Sequence, residues 1–103
     1  MTYSLIISDT AQKQIDGAVL YLINELHSPF AAGSLIDDIE RAYDRIQFMP
    51  YAMPKCTDPI LRENDYHKTL LDSHDYILIF RVDADIIKIY GFFHMLQNYA
   101  EKV

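Results

Sequence analysis

Apolar positions along this chain change their period twice. Residues 3–7 alternate, with Tyr3, Leu5 and Ile7 against Ser4 and Ile6, and predict a short first strand. From Ala11 the spacing becomes three and four. Ala11, Ile15, Ala18, Val19, Leu22 and Leu26 fall on one stripe and predict an amphipathic helix of about five turns. Ser8-Asp9-Thr10 supplies N-cap chemistry, and Gln12, three residues after Asp9, suggests a capping box. His27-Ser28-Pro29 closes this helix and opens a second, with Ser28 as cap and Pro29 at the first helical position. Ala32, Leu35, Ile36, Ile39, Tyr43 and Ile46 form its stripe, and Met49-Pro50 ends it, because the residue before proline disfavours α geometry. So short a link makes the two helices an antiparallel hairpin.

The period then drops to two. Tyr66–Leu71, Tyr76–Val82 and Ile86–Phe93 predict three strands. Asp72-Ser73-His74-Asp75 and Asp83-Ala84-Asp85 are turn chemistry between them, so the strands run antiparallel. Tyr76, Leu78, Phe80 and Val82 face one way; Ile77, Ile79 and Arg81 face the other. In the last strand Ile87, Ile89 and Gly91 are expected to oppose Ile86, Lys88 and Tyr90. One sheet face is apolar and expected to lie against the helix hairpin; the mixed face is left for solvent or a partner. The first strand is expected to pair with one of the three later ones. Residues 50–65, with Pro50, Pro54 and Pro59, predict a loop of a length at which function is commoner than plain connection. Residues 95–102 read as a short final helix or an irregular tail.

Composition narrows the picture. The 103 residues make one domain, residues 1–103, with half of them apolar, enough for one core. The fold class is α+β: a β-α-α-β-β-β order with a helix hairpin on a small, mainly antiparallel sheet. The single cysteine, Cys56, excludes an internal disulfide and fits a cytoplasmic location. No apolar run is long enough for a transmembrane helix, and the first residues lack the basic region of a secretory signal. The net charge of −6 sits mainly in residues 1–50, which carry seven acids and three bases. Lys55, Arg62, Lys68, Arg81, Lys88 and Lys102 form no cluster in sequence, so tight binding to free nucleic acid is not expected and a basic protein partner fits better. The histidines His27, His67, His74 and His94 show no i,i+4 pair and no Cys/His cluster, so neither a metal nor a cofactor is expected.

The ordered set of these features resembles the RelE/ParE superfamily of bacterial type II toxins, and the resemblance covers almost the whole chain. Its carriers are Tyr3 to Ala11, Tyr21, Ala31-Ala32, the Met49-Pro50 exit, Tyr66-His67-Lys68, Asp75 through Asp83, and His94 through Tyr99. The resemblance implies a toxin neutralised by a cognate antitoxin protein. It implies one of two actions: ribosome-dependent cleavage of messenger RNA, as in RelE-like members, or poisoning of DNA gyrase, as in ParE-like members. A degenerate member that only binds its antitoxin is a third class.

Cleavage through 2′-OH attack needs a base, an acid and cations around the phosphate. Tyr99 matches the family's C-terminal tyrosine, and His94 lies where the family often has His or Arg. These are the two catalytic candidates if the chain is a nuclease. Each also has an ordinary structural reading: His94 as a hydrogen-bonded strand-end residue, Tyr99 as a tail aromatic lying on the sheet. Ile77 and His67 stand where arginines are common in RelE-like chains, which turns the expectation toward ParE-like action by protein binding. The candidates for substrate or partner contact are His67, Lys68, Arg62, Arg81 and Gln97. Lys68 and His67 fall on opposite sides of their strand, and Arg81 is expected to pair with Asp83, Asp85 or a helix acid.

Overall fold

The computed structural model describes residues 3–101. Lys102, counted above among the cations and in the tail, lies outside the described residues. The order is β1 (Ser4–Ile7), α1 (Asp9–Asn24), α2 (Pro29–Phe48), a 3-10 turn (Pro50–Ala52), α3 (Pro59–Glu63), β2 (His67–Leu70), β3 (Tyr76–Asp83), β4 (Ile86–His94) and a final 3-10 turn (Tyr99–Glu101). The four strands form one sheet in the order β1-β4-β3-β2. β2–β3 and β3–β4 are antiparallel. β1 joins the edge as a parallel partner of β4, with Ser4 opposite Ile86 and Ile7 opposite Ile89. The expected α+β fold is the one observed.

The caps explain where the helices begin. Ser8 is the α1 cap: its Oγ accepts from the Ala11 amide at 3.0 Å, and its own N–H donates to the Ile89 carbonyl at 2.9 Å. One residue therefore both ends β1's pairing and starts the helix. The expected capping box does not form, because with Ser8 as cap Gln12 falls one position late; its amide donates instead to Asp16 at 2.9 Å. Ser28 caps α2 as expected, accepting from Ala31 at 3.2 Å. α1 stops at Asn24, short of Leu26, and the Ser28 N–H returns to the Leu22 carbonyl at 2.9 Å.

The sheet splits the core in two. On the helix side Ala11, Ile15, Leu35, Ile39, Ala42 and Ile46 meet Leu71, Leu78, Phe80, Ile87, Ile89 and Phe92. On the outer side Ile77, Ile79 and Phe93 are covered by Cys56 and Leu61, with Tyr66, Tyr99 and Ala100 around them. The outer face is thus partly roofed rather than left open. The 50–65 segment that the proline pattern marks as a loop contains α3, capped by Asp58 through the Ile60 and Leu61 amides at 3.0 and 3.1 Å. It also lines the β2 edge: Lys68 N–H donates to the Pro54 carbonyl and Cys56 N–H to the Tyr66 carbonyl. An edge so covered does not offer itself to another strand.

A β-bulge changes the parity of β4. Ile79 stands opposite Gly91 while Phe80 stands opposite Ile89, so Tyr90 is the extra residue. Simple alternation puts Gly91 beside Ile87 and Ile89; the bulge puts Phe92 there instead, and Phe93 in the outer core. The Phe92 N–H, beyond the end of β1, donates to Gln14 Oε1 of α1 at 2.9 Å. Gly91 has a packing reason to be glycine, since a Cβ there would run into the Phe93 ring.

The turn between β2 and β3 is tied to α2 by Asp38, whose side chain is fully buried. It accepts from the Asp72 and Ser73 amides at 3.2 and 2.9 Å, from His74 Nδ1 at 2.7 Å, and from Arg41 at 3.2 Å. Burial by itself pushes the Asp38 carboxyl up, but the His74 hydrogen bond, the two amides and the His74 charge together hold it below its usual 3.8.

Candidate functional site

The end of β4 places the two catalytic candidates. Alternation after the bulge sends the His94 side chain to the helix side, where its ring meets the edge of Tyr76 at 5.4 Å. Tyr76 in turn stacks on Phe92 at 4.5 Å. Tyr99 lies on the outer side against Phe93, ring centres 6.3 Å apart. The sheet stands between His94 and Tyr99, and the structure does not bring them together. The His94 N–H donates to Gln97 Oε1 at 2.8 Å, the Gln97 N–H donates to the His94 carbonyl at 2.9 Å, and the Leu96 N–H donates to His94 Nδ1 at 3.2 Å. Gln97 therefore closes the strand end.

The remaining candidates divide by face. His67 points to the helix side and is only 6 % exposed. It stacks on Phe80 at 5.4 Å, meets Tyr51 edge-on, and holds the Met53 carbonyl through Nδ1 at 3.0 Å. Lys68, opposite Ile79, and Arg81, opposite Lys88, share the outer face. Arg81 sits over the Tyr66 ring at 5.4 Å and Lys88 over the Tyr90 ring at 5.1 Å, while the two tyrosines meet edge-to-face at 5.3 Å. Arg81 thus takes an aromatic partner in place of the acid expected for it, an attraction to the ring quadrupole. Arg62 is exposed in the last turn of α3. Nearby, the Lys55 hydrogen bond and charge pull the exposed Asp65 carboxyl below its usual range. Beneath this face burial pushes the Cys56 thiol up, away from the reactive thiolate.

A second feature, on the far side of the molecule, was not read from the sequence. Between α1 and α2, beside β1, lies an open groove of about 450 Å³ lined by Ile15, Val19, Leu20, Ile36, Ile39 and Tyr43. Asp16 and Glu40 stand at it too. Leu20 is 52 % exposed and Ile36 40 %. Burial pushes the Tyr43 hydroxyl up to about 12, and its oxygen is buried with no hydrogen-bond partner. The signal that could have found this groove is Leu20, an apolar residue off the α1 stripe, which a single buried face does not require.

Among the described residues no group of three or more His, Cys, Asp and Glu side chains could hold a metal ion, and no helix is long and apolar enough to cross a membrane.

A strand, a helix hairpin and an antiparallel trio completing a four-stranded mixed sheet define a small α+β toxin of the RelE/ParE type. More narrowly, the chain belongs to the family described as the ParE toxin of type II toxin-antitoxin system, parDE, whose model matches residues 5–99. Among solved structures, one described as a chromosomal ParDE toxin-antitoxin system from P. aeruginosa superposes with a TM-score of 0.73 at 18 % identity, covering 90 % of this chain and 96 % of that one. A chain from the RelBE2 toxin-antitoxin complex of Mycobacterium tuberculosis superposes with a TM-score of 0.62 at 13 % identity, covering 91 % and 99 %. At these identities the likeness is one of fold. No curated protein matches the sequence.

Proposed function

We propose that this ParE-family toxin acts by binding a protein target, DNA gyrase, and that a cognate antitoxin protein neutralises it. The observation that carries this reading is the separation of His94 and Tyr99 by the sheet. An acid and a base serving one scissile phosphate need hydrogen-bond reach of the same few atoms. Arg81 and Lys88 are engaged with tyrosine rings, which adds support, because a pentavalent phosphate needs cations aimed at it. Solved neighbours described as toxin-antitoxin systems support the antitoxin partner. Both gyrase and antitoxin belong to the cytoplasm, where this reading places the chain.

The RelE-like reading, ribosome-dependent cleavage of messenger RNA without a metal, draws on one observation: Lys68, Arg81, Lys88 and Tyr99 share the outer face. The two readings separate in one experiment. The purified chain is added to gyrase with relaxed plasmid, and to translating ribosomes with a labelled message. Gyrase inhibition with intact messages, unchanged in His94→Ala and Tyr99→Phe, is expected. Message cleavage lost in either variant would establish the nuclease instead. Neither effect, with antitoxin binding retained, would leave a chain that only binds its antitoxin.

A further inference from the structure

We infer that the end of the molecule where α2 runs into the first 3-10 turn is the surface that meets the target. Phe48, Met49 and Tyr51 form its apolar centre and aspartates stand about it, which fits a basic protein surface carrying an apolar pocket; this rests on the gyrase reading above. The first observation is exposure. Phe48 is 81 % exposed, Tyr51 65 % and Met49 54 %, three large apolar side chains within four residues. Packing does not call for Phe48. Ile46, two residues earlier, is fully buried, and two helical steps turn the chain by about 200°, away from the core. Apolar side chains exposed singly need no explanation, whereas a cluster of large ones marks a contact.

The second observation is that this cluster is held in place. Pro50, between Met49 and Tyr51, is buried. The Met49 N–H donates to the Arg45 carbonyl at 3.0 Å, and the Ala52 N–H donates to the Met49 carbonyl at 3.1 Å. The Tyr51 ring stands edge-on to the buried His67 ring at 6.0 Å. Anchors fixed before binding lose little freedom when they bind.

Charge selects the occupant. Asp44, one turn before Phe48 on the same helix face, is exposed. The β3–β4 turn lies at the same end of the molecule: Gln47 Nε2 donates to the Tyr3 carbonyl at 3.1 Å, and the next residue, Ser4, donates its N–H to the Asp85 carbonyl at 2.8 Å. Asp83 and Asp85 are exposed there. Among the described residues Asp44, Asp83 and Asp85 form no ion pair. Arg81 and Lys88, from the strands that this turn joins, lie on the outer face over Tyr66 and Tyr90. A second copy of this chain, with its net charge of −6, would bring acids against acids. An enzyme that handles DNA must present lysine and arginine where it meets phosphate, and such a surface finds opposite charge here.

The test uses the full chain in gyrase supercoiling of relaxed plasmid. Phe48→Ser is expected to raise the half-inhibiting concentration about tenfold or more, while the free chain keeps its unfolding midpoint and its binding to the product of the reading frame beside its gene. Asp83→Asn/Asp85→Asn is expected to raise it about threefold, and less as salt is added. Phe30→Ser, at the other end of α2 about 27 Å away and equally exposed, is expected to change nothing. If the unaltered chain does not inhibit gyrase, the gyrase reading falls and this inference with it. If it inhibits and Phe48→Ser inhibits equally well, the gyrase reading stands and the surface assignment is overturned. Full potency of the aspartate variant at low salt would overturn the basic partner. Loss of the neighbouring product's binding in Phe48→Ser would overturn the assignment in favour of the antitoxin, and a dimer of the chain alone that Phe48→Ser abolishes would overturn it in favour of a second copy.

Discussion

The two faces of the sheet come from alternate residues of the same strands, yet they are built differently. The helix side is a continuous apolar layer clamped to two long helices. The outer side is a small apolar patch under Cys56 and Leu61, rimmed by tyrosines that carry Arg81 and Lys88. The helix side can lose little without losing the fold. The outer side has a thinner cover, and its cations and rings are where chemistry or contact can vary. The difference also explains why the catalytic candidates fail to meet: His94 and Tyr99 are five residues apart but answer to different faces.

Five substitutions bear on this contrast. Phe80→Ala, in the helix-side core, is expected to cost about 3–5 kcal/mol in denaturant unfolding. Phe93→Ala, under a cover that can settle, is expected to cost about 3 kcal/mol or less; an equal loss would erase the distinction between the faces. Next is Asp38→Asn, which removes a charged acceptor from the turn clamp, for about 2–3 kcal/mol. The Asp38 carboxyl is held below its usual 3.8 in the fold. Its contribution is therefore full above that value and lost as pH falls through the lower native one. The unaltered chain should lose stability on acidification below about pH 4, and the gap to Asp38→Asn should narrow. A constant gap would assign the clamp to packing alone.

Gly91→Ala should displace Phe93 and cost about 1–3 kcal/mol, with the near-ultraviolet tyrosine signal reporting repacking around Tyr99. The smallest effect is expected at Ala84, whose φ of 55° places a non-glycine residue in the left-handed region at the first position of the β3–β4 turn. Ala84→Gly should stabilise by about 0.5–1 kcal/mol, and a loss would show that this turn is not strained.

The fold was legible wherever period decided it. Ser28-Pro29, Met49-Pro50 and the polar turns all fall where the elements break. The bulge at Tyr90 was not legible, because one extra residue in a run of Ile, Tyr, Gly and Phe leaves the composition of the strand unchanged while exchanging the faces of every residue after it. Asp38 was equally hidden: it reads as one more acid on a helix, and only the turn thirty-four residues later makes it a buried acceptor. Of the site candidates, the sequence offered His94 and Tyr99 as a catalytic pair and His67, Lys68, Arg62, Arg81 and Gln97 as contact residues. Their sides of the sheet depend on the bulge and the tail, so their grouping could not be read in advance. The groove was missed because most of its lining belongs to the two stripes, and a stripe looks the same whether it is fully buried or left partly uncovered; only Leu20 lies off them.

The parallel seat of β1 has a consequence for how the toxin comes into being. Its first strand finds hydrogen bonds only on β4, with Ser4 beside Ile86. While the chain is being synthesised, β1 and its Ser8 link wait for nearly the last element to emerge. A chain interrupted before β4 has nothing to join β1 to β3, no bulge, and an outer face without Phe93 and Tyr99, and so no finished surface to present to any target. Such long-range closure is slow compared with the forming of a helix hairpin. The hairpin with its groove is thus the part of the molecule that can take shape first, and the toxic form is completed last.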